Sequence, residues 1–292
     1  MATLTELESK TIVSGSHDVA TNLNYLIPPG QDGLQPIRFC THEAERRTAQ
    51  REGITDVRDV VIRDIRGRED EFKLNVQGFQ YVKHSVEAVT NWRNQTQVKQ
   101  LVQPATEDLV KRVTGASEVV VYLTRTRFEG NQGGNKMSTM NSPSHGVHTD
   151  ITHASCRHVL KDVIPDEEIE RLMGYPFDIL NVWRPIKPIL RDPLAVCDWR
   201  SVDPESDIFP DRRVVSGQIF EFGMPVFNEK HKWYYLSEQQ PDEPLLFNQL
   251  SSDVASNMTV LHSAFVDPNH INESPRESIE MKCFAFFTGS KD

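Results

Sequence analysis

The sequence predicts a mainly β protein, a barrel or sandwich of many short strands with a helical N-terminal layer packed on it. Two observations carry this expectation. From residue 117 onward, short β-branched and apolar runs recur, each divided from the next by turn residues, which is the spacing of an antiparallel barrel or sandwich. Upstream, helical stretches with start and stop signals dominate instead. At 292 residues the chain can bury a substantial core. No repeat or low-complexity linker divides it, so 1–292 reads as one domain, with 1–116 as arm and helices and 117–292 as the β core.

Residues 1–40 are punctuated by Pro28-Pro29-Gly30 and Asp32-Gly33 and suggest an extended arm wrapped on the body, through which two copies could pair as a homodimer. Thr41 to Arg51 reads as a short helix with Thr41 as N-cap and Gly53 as stop. Asp59–Ile65 reads as a strand, and Phe72–Val76 with Phe79–Val82 as a hairpin about Gln77-Gly78. Two helices follow, over Ser85–Asn94 and Ala105–Val113, the second ended by Gly115. The strands expected next are Glu118–Thr124, Phe177–Trp183, Pro193–Val196, Val214–Phe222, Lys232–Leu236, Leu245–Phe247, Met258–Phe265 and Ile279–Phe287. A helical insert from about Pro165 to Met173, ending at Gly174, interrupts them.

Charge and composition exclude several partners. The net charge of −10 disfavours nucleic acid, since an acidic surface repels phosphate backbones. Arg46, Arg47 and Arg51 are interleaved with Glu43, Glu45 and Glu52 and read as a solvated helix face. No apolar run approaches the roughly 20 residues that span a bilayer, and the N-terminus lacks a secretory h-region, so a cytoplasmic protein is expected. Cys40, Cys156, Cys197 and Cys283 match neither a zinc site nor a disulfide framework and read as reduced, mostly buried thiols.

The chemistry begins at His148-Thr149-Asp150. On a strand, residues i and i+2 point to one face, so this imidazole and carboxylate can reach the same metal. Alone the pair is weak evidence, because 10 His and 42 acidic residues among 292 give one or two such pairs by chance. Downstream, His262 sits alone in the apolar run Val260–Phe265, either a satisfied core residue or a third ligand. A little further on, Arg276 and Ser278 share a face at the start of the last strand, where a guanidinium fork and a hydroxyl can hold one carboxylate. Two imidazoles and a carboxylate leave adjacent coordination positions open, which suits a chelating oxo-acid and O2 on Fe(II).

This joint pattern resembles the iron(II)/2-oxoglutarate-dependent oxygenases. Asn181–Ile186, Asp192–Val202, Asp64–Asp70, Gly78-Phe79, Thr114–Ala116 and Arg276–Glu280 resemble, more narrowly, the fungal AsaB/CmcJ-like hydroxylase/desaturase group, over nearly the whole chain from Asn24. Within that group the chain is similar to meroterpenoid-pathway members that form endoperoxides. The resemblance implies a double-stranded β-helix (jelly-roll, cupin-like) core. It implies iron ligands His148, Asp150 and His262, a 2-oxoglutarate clamp of Arg276 with Ser278, and C–H oxidation of an apolar natural product with O2. Related sequences tend to read Glu-Val-Arg where this chain has Glu280-Met281-Lys282, so Lys282 is a rival for the clamp.

The pocket is less legible. Gly130–Lys136 reads as a lid with glycine hinges or a plain surface loop, and Met137 and Met140 beside it as an adaptable apolar wall. Trp199, between Asp198 and Arg200, either lines the substrate or packs. Trp183 and Arg184 are expected to support the barrel or cover the iron, and Tyr122 to pack in the core or to hydrogen-bond the co-substrate. The rival readings are a cupin-like metal enzyme without 2-oxoglutarate and a non-catalytic binder. Neither would need Arg276-x-Ser278.

Overall fold

The structure is a computed structural model that describes residues 17–28, 38–39, 55–128, 143–156, 158–161, 163–215, 218–253, 256 and 258–289. Two five-stranded sheets face each other. The first runs β1 (Val19–Leu26), β3 (Thr55–Asp64), β10 (Trp233–Tyr235), β7 (Leu194–Cys197), β12 (His262–Ala264). The second runs β4 (Phe79–Tyr81), β11 (Leu245–Ser251), β6 (Phe177–Pro185), β13 (Ser278–Phe286), β5 (Glu118–Arg127). A third sheet joins β2 (Arg38–Phe39), β8 (Ile208–Val215) and β9 (Gln218–Pro225). This is the jelly-roll expected.

The central strands β6, β7, β11 and β13 bury both faces, which is why they are nearly continuous apolar runs, whereas β3 leaves most of its residues exposed. Between the sheets, Trp183, Phe79 and Phe247 meet Val196, Leu194 and Ile65. On the outer face of the second sheet, Met281, Cys283 and Ala285 pack with Val182 and Leu246 under helix α1 (Gln103–Thr114). Gly115, in the left-handed region at φ 77°, closes that helix by donating to the Lys111 carbonyl at 2.8 Å. At one end of the inner face, Phe177, Phe284 and Phe286 are covered by helix α2 (Asp166–Leu172). On the outer face of the first sheet, Tyr25, Trp233, Val147 and Leu261 cluster. Cys156, Cys197 and Cys283 are buried and form no disulfide among the described residues.

Several expected elements differ. Phe72–Val76 is not a hairpin arm. The amides of Val76 and Gln77 bond to the Lys73 carbonyl, and the Gln77 side chain bonds Lys73 N–H and the Glu71 carbonyl, closing a turn. The partner of Phe79–Tyr81 is instead Leu245–Phe247, far away in sequence. Ser85–Asn94 is not helical, because its polar side chains bond backbone locally. Asn91 Oδ1 accepts from Arg93 N–H, and Gln97 Oε1 accepts from the amides of Thr90 and Asn91. The helical run begins at Gln95, capped by Asn94, and passes through a π stretch (Val98–Val102) into α1. Residues Val214–Phe222 fall across an antiparallel hairpin, β8 with β9, rather than forming one strand. Only His262–Ala264 of Met258–Phe265 pairs as strand, and the N-terminal part supplies β1, β3 and β4 to the sheets as well as a helix. The Thr41–Arg51 helix and the Gly130–Lys136 lid lie outside the described residues.

Candidate metal centre

His148 and His262 face each other across an isolated antiparallel bridge. His148 N–H donates to the His262 carbonyl at 3.2 Å and His262 N–H to the His148 carbonyl at 3.1 Å. Their rings follow, with centroids 4.2 Å apart. Each Nδ1 lies beside the carbonyl two residues earlier: 2.8 Å to Gly146 for His148, 3.3 Å to Val260 for His262. A carbonyl only accepts, so Nδ1 carries the proton on both rings and Nε2 keeps its lone pair. The two Nε2 atoms lie 3.6 Å and 3.4 Å from the Asp150 carboxylate oxygens, and one ligand atom from each residue falls within 4.8 Å of the others. Burial, then the neighbouring His262, pulls His148 down to about 3, so its imidazole is neutral, as a ligand must be.

Asp150 is gripped from the facing sheet. Its amide donates to Gln249 Oε1 at 2.8 Å, while Gln249 Nε2 lies 3.2 Å from the Val260 carbonyl, which ties the two ligand segments together. Asn181 Nδ2 donates to Oδ2 at 2.5 Å, and Lys282 Nζ lies 2.5 Å from Oδ1. Asn181 and Lys282 are register partners on β6 and β13, so they present themselves side by side. Burial opposes the charge on Asp150, yet Lys282 and His262 hold its carboxyl well below the usual range. Between the ligands, Thr149 Oγ1 accepts from Gly223 N–H at 3.1 Å. A Cβ at Gly223 would stand 2.5 Å from that oxygen and 2.7 Å from Ile208 Cγ2, so only glycine fits. Phe247 backs His262 edge-on at 4.8 Å.

Along β13 the inward positions Ser278, Glu280 and Lys282 are polar, and the structure brings Arg276 to the head of this row. Arg276 is buried, with its guanidinium carbon 5.3 Å over the Trp183 ring and Nη1 donating to the Asp192 carbonyl at 2.7 Å. Asp192 reaches this position at φ 53°, in the left-handed region where few side-chain-bearing residues sit. Among the described residues, Nε of Arg276 is buried with no hydrogen-bond partner. Burial, then the nearby Arg127 charge, lowers Arg276 to about 9. Ser278 is buried and pairs across the sheet with Arg127. Lys282 also lies 3.3 Å from Glu280.

The remaining expected site residues scatter. Trp183 lies on the inner face beneath Arg276. Arg184, its neighbour, points to the opposite face and binds the His84 and Pro241 carbonyls. Tyr122 packs edge-on to Phe284 at 5.4 Å, and burial, then the charges of Asp150 and Glu280, raise its phenol well above the ordinary value. Trp199 packs at the margin of the Phe72–Phe79 cluster and donates its indole N–H to the Val76 carbonyl at 2.9 Å. Met137 and Met140 lie outside the described residues. A cleft of about 370 Å³ lined by His145, Arg191, Asp192 and Ile271, among others, borders Asp192 but contains none of His148, Asp150 and His262. Gln249 and Gly223 carry no motif; Asn181 opens the Asn181–Ile186 run, but its role at the carboxylate is signalled only by a lone amide in a largely apolar strand.

Two imidazoles and one carboxylate form a donor set suited to Fe(II), softer than a calcium site and without the thiolates of structural zinc. With the facing sheets around it, the cluster is a candidate centre for the iron of a non-haem oxygenase. The family described as "Oxidoreductase/YMDC permease-like domain" matches residues 23–286. The hydroxylase/desaturase efuI of Hormonema carpetanum is 34% identical over 295 residues, 93% of this chain and 96% of its own. The hydroxylase/desaturase CTB9 of Cercospora beticola is 32% identical over 285 residues, 90% of this chain and 85% of its own. Among solved structures, a variant of the iron and alpha-ketoglutarate-dependent endoperoxidase NvfI superposes with a TM-score of 0.79 at 27% identity, covering 94% of this chain and 98% of that one. The chain belongs to this fungal family of hydroxylases, desaturases and dioxygenases, and it is an enzyme that uses Fe(II), 2-oxoglutarate and O2. Among the described residues no helix is long and apolar enough to cross a membrane.

Proposed function

We propose that the chain oxidises an apolar small-molecule natural product at a C–H bond, with His148, Asp150 and His262 holding the iron and Arg276 with Ser278 holding the distal carboxylate of 2-oxoglutarate. The observation that carries this reading is the convergence of His148 Nε2, His262 Nε2 and an Asp150 oxygen within 4.8 Å, at the end of a buried polar row that begins with Arg276. Iron bound there would supply oxidative decarboxylation of 2-oxoglutarate by O2 and hydrogen abstraction from the substrate. The protein's part is positional. The Gly146 and Val260 carbonyls set the imidazole tautomers, Gln249 and Asn181 orient Asp150, and Phe247 shields His262. Arg276 offers an unsatisfied Nε inside the fold, a group whose cost is relieved when an anion arrives.

The likeness to efuI and CTB9 supports hydroxylation or desaturation, and the likeness to NvfI supports capture of a second O2 to form an endoperoxide of a meroterpenoid. The test of the common step is anaerobic titration with Fe(II) and then 2-oxoglutarate. A weak visible charge-transfer band should grow with both and disappear in His148→Ala. A folded wild-type protein without that band would sink the proposal.

A further inference from the structure

Behind the ligand segments, on the outer face of the first sheet, runs a chain of buried polar groups that the metal site does not use. Trp233 Nε1 lies 2.8 Å from Tyr25 Oη, Tyr25 Oη lies 3.3 Å from His231 Nδ1, and His231 Nε2 lies 3.1 Å from Asp207 Oδ2. Asp207 Oδ2 also accepts from Asp203 N–H at 2.9 Å, and its Oδ1 accepts from the Asn228 amide at 3.0 Å. Tyr25 and Trp233 are buried, and the His231 and Asp207 side chains are 1% and 4% exposed.

The directions follow from valence. An indole N–H only donates and a carboxylate only accepts, so the His231 proton is on Nε2 and its Nδ1 is free to receive the Tyr25 hydroxyl. Tyr25 is thereby a phenol aimed at a neutral base that is itself held by a carboxylate. Burial keeps His231 below its ordinary value, and at Asp207 the Asn228, Asp203 and His231 contacts outweigh burial and favour the charged form. Other buried tyrosines lack this arrangement. Among the described residues Tyr81 Oη has no hydrogen-bond partner, and Tyr235 Oη donates to the His17 carbonyl, which cannot keep a proton.

The chain is also coupled to the ligands. Val147, next to His148, donates its N–H to the Asn24 carbonyl at 2.9 Å, and that carbonyl carbon is bonded to Tyr25. Val147 and Leu261, the immediate neighbours of His148 and His262, pack in one cluster with Tyr25 and Trp233. One hydrogen bond and short stretches of backbone therefore join the first ligand to the phenol.

We infer that Tyr25 is a sacrificial one-electron donor to the iron centre, discharging it when O2 and 2-oxoglutarate are consumed without substrate. One electron leaves the phenol for the oxidised iron. The Tyr25 O–H bond breaks as an N–H bond forms at His231 Nδ1, and the imidazolium stays on the Asp207 carboxylate. The product is a neutral tyrosyl radical held away from the substrate site. The inference rests on the iron assignment to His148, Asp150 and His262.

The test is freeze-quench EPR on protein loaded with Fe(II) and 2-oxoglutarate and given O2 with no organic substrate, with succinate measured in the same samples. The expected result is a tyrosyl signal that narrows on ring-deuterated tyrosine, is lost in Tyr25→Phe and falls in yield in His231→Gln. If Tyr25→Phe does not fold, incorporation of 3-fluorotyrosine in the wild type must split the signal and His231→Gln must still lower it. Succinate without a tyrosyl signal, or a signal that persists in Tyr25→Phe, overturns the relay and leaves the iron reading standing. Absence of succinate from protein that shows the charge-transfer band overturns the relay and leaves the iron reading standing, whereas absence of both overturns the iron assignment and the relay with it.

Discussion

Lys282 Nζ lies 2.5 Å from Asp150 Oδ1, and both side chains are buried. The ammonium stands where it offsets the carboxylate's charge, and a dication bound by the same carboxylate would do so in its place. Lys282→Met should therefore cost about 3–5 kcal/mol in chelator-treated protein, since one charge is left alone in the interior. Redox-inert Mn(II) should restore much of that loss, so the metal-induced rise in Tm should be larger in the variant than in the wild type. Equal rises in both proteins would show that Lys282 and the metal do not share Asp150.

Arg276 and Lys282 are rivals for the 2-oxoglutarate carboxylate, and their contacts separate them. Lys282 is already paired with Asp150 and Glu280, whereas Arg276 keeps a buried Nε without a partner. Arg276→Met should weaken 2-oxoglutarate by roughly 30-fold or more, about 2 kcal/mol or above, in the charge-transfer titration. Fe(II) binding should be nearly unchanged. Arg276→Lys should recover only part, because the fork becomes a point charge. The reverse pattern, with 2-oxoglutarate affinity lost in Lys282→Met and kept in Arg276→Met, would move the clamp.

Gly223 is the backbone seat on which the ligand segment rests. In Gly223→Ala the new methyl would meet Thr149 Oγ1 and Ile208 Cγ2, so one of them must shift. The overpacking should lower stability by about 1–3 kcal/mol by urea unfolding. Because Thr149 lies between His148 and Asp150, metal affinity should fall as well. A variant as stable as wild type with unchanged Mn(II) affinity would contradict this account.

A pH effect is expected far from the iron. Glu243 is held between Arg66 and Lys83, at 2.6 Å and 2.9 Å. Burial opposes its ionisation, but the Arg66 hydrogen bond, the Gln240 amide and Lys83 bring it from 4.5 to about 2. A carboxylate with a depressed folded pKa contributes stability that is complete above the unfolded value and is lost as pH falls through the folded one. Thermal stability should therefore decline between about pH 4.5 and 2 more steeply in the wild type than in Glu243→Gln.

Much of the β core was legible because buried strands leave apolar runs with turn residues between them, as in Phe177–Pro185 and Ser278–Phe286. The spacing of His148 and Asp150 and the lone His262 were legible too, since strand alternation dictates which side chains share a face. The clasp around Asp150 was not. Asn181, Gln249 and Lys282 come from three strands of the facing sheet, and no local pattern announces that they meet. The absence of the hairpin expected at Phe72–Val76 and of the helix expected at Ser85–Asn94 has a different cause. There, Gln77, Asn91 and Gln97 side chains captured backbone amides and carbonyls that a ladder or helix needed, a competition that residue propensities do not register.

The reciprocal bridge between His148 and His262 also bears on how the chain is made. Its halves are distant along the polypeptide, so the bridge forms only when the two ligand segments dock. A nascent chain thus has no preformed cage to load, and iron captured by either half alone would be weakly held. Once docked, the backbone bridge holds both imidazoles side by side without a metal, so loading can follow folding.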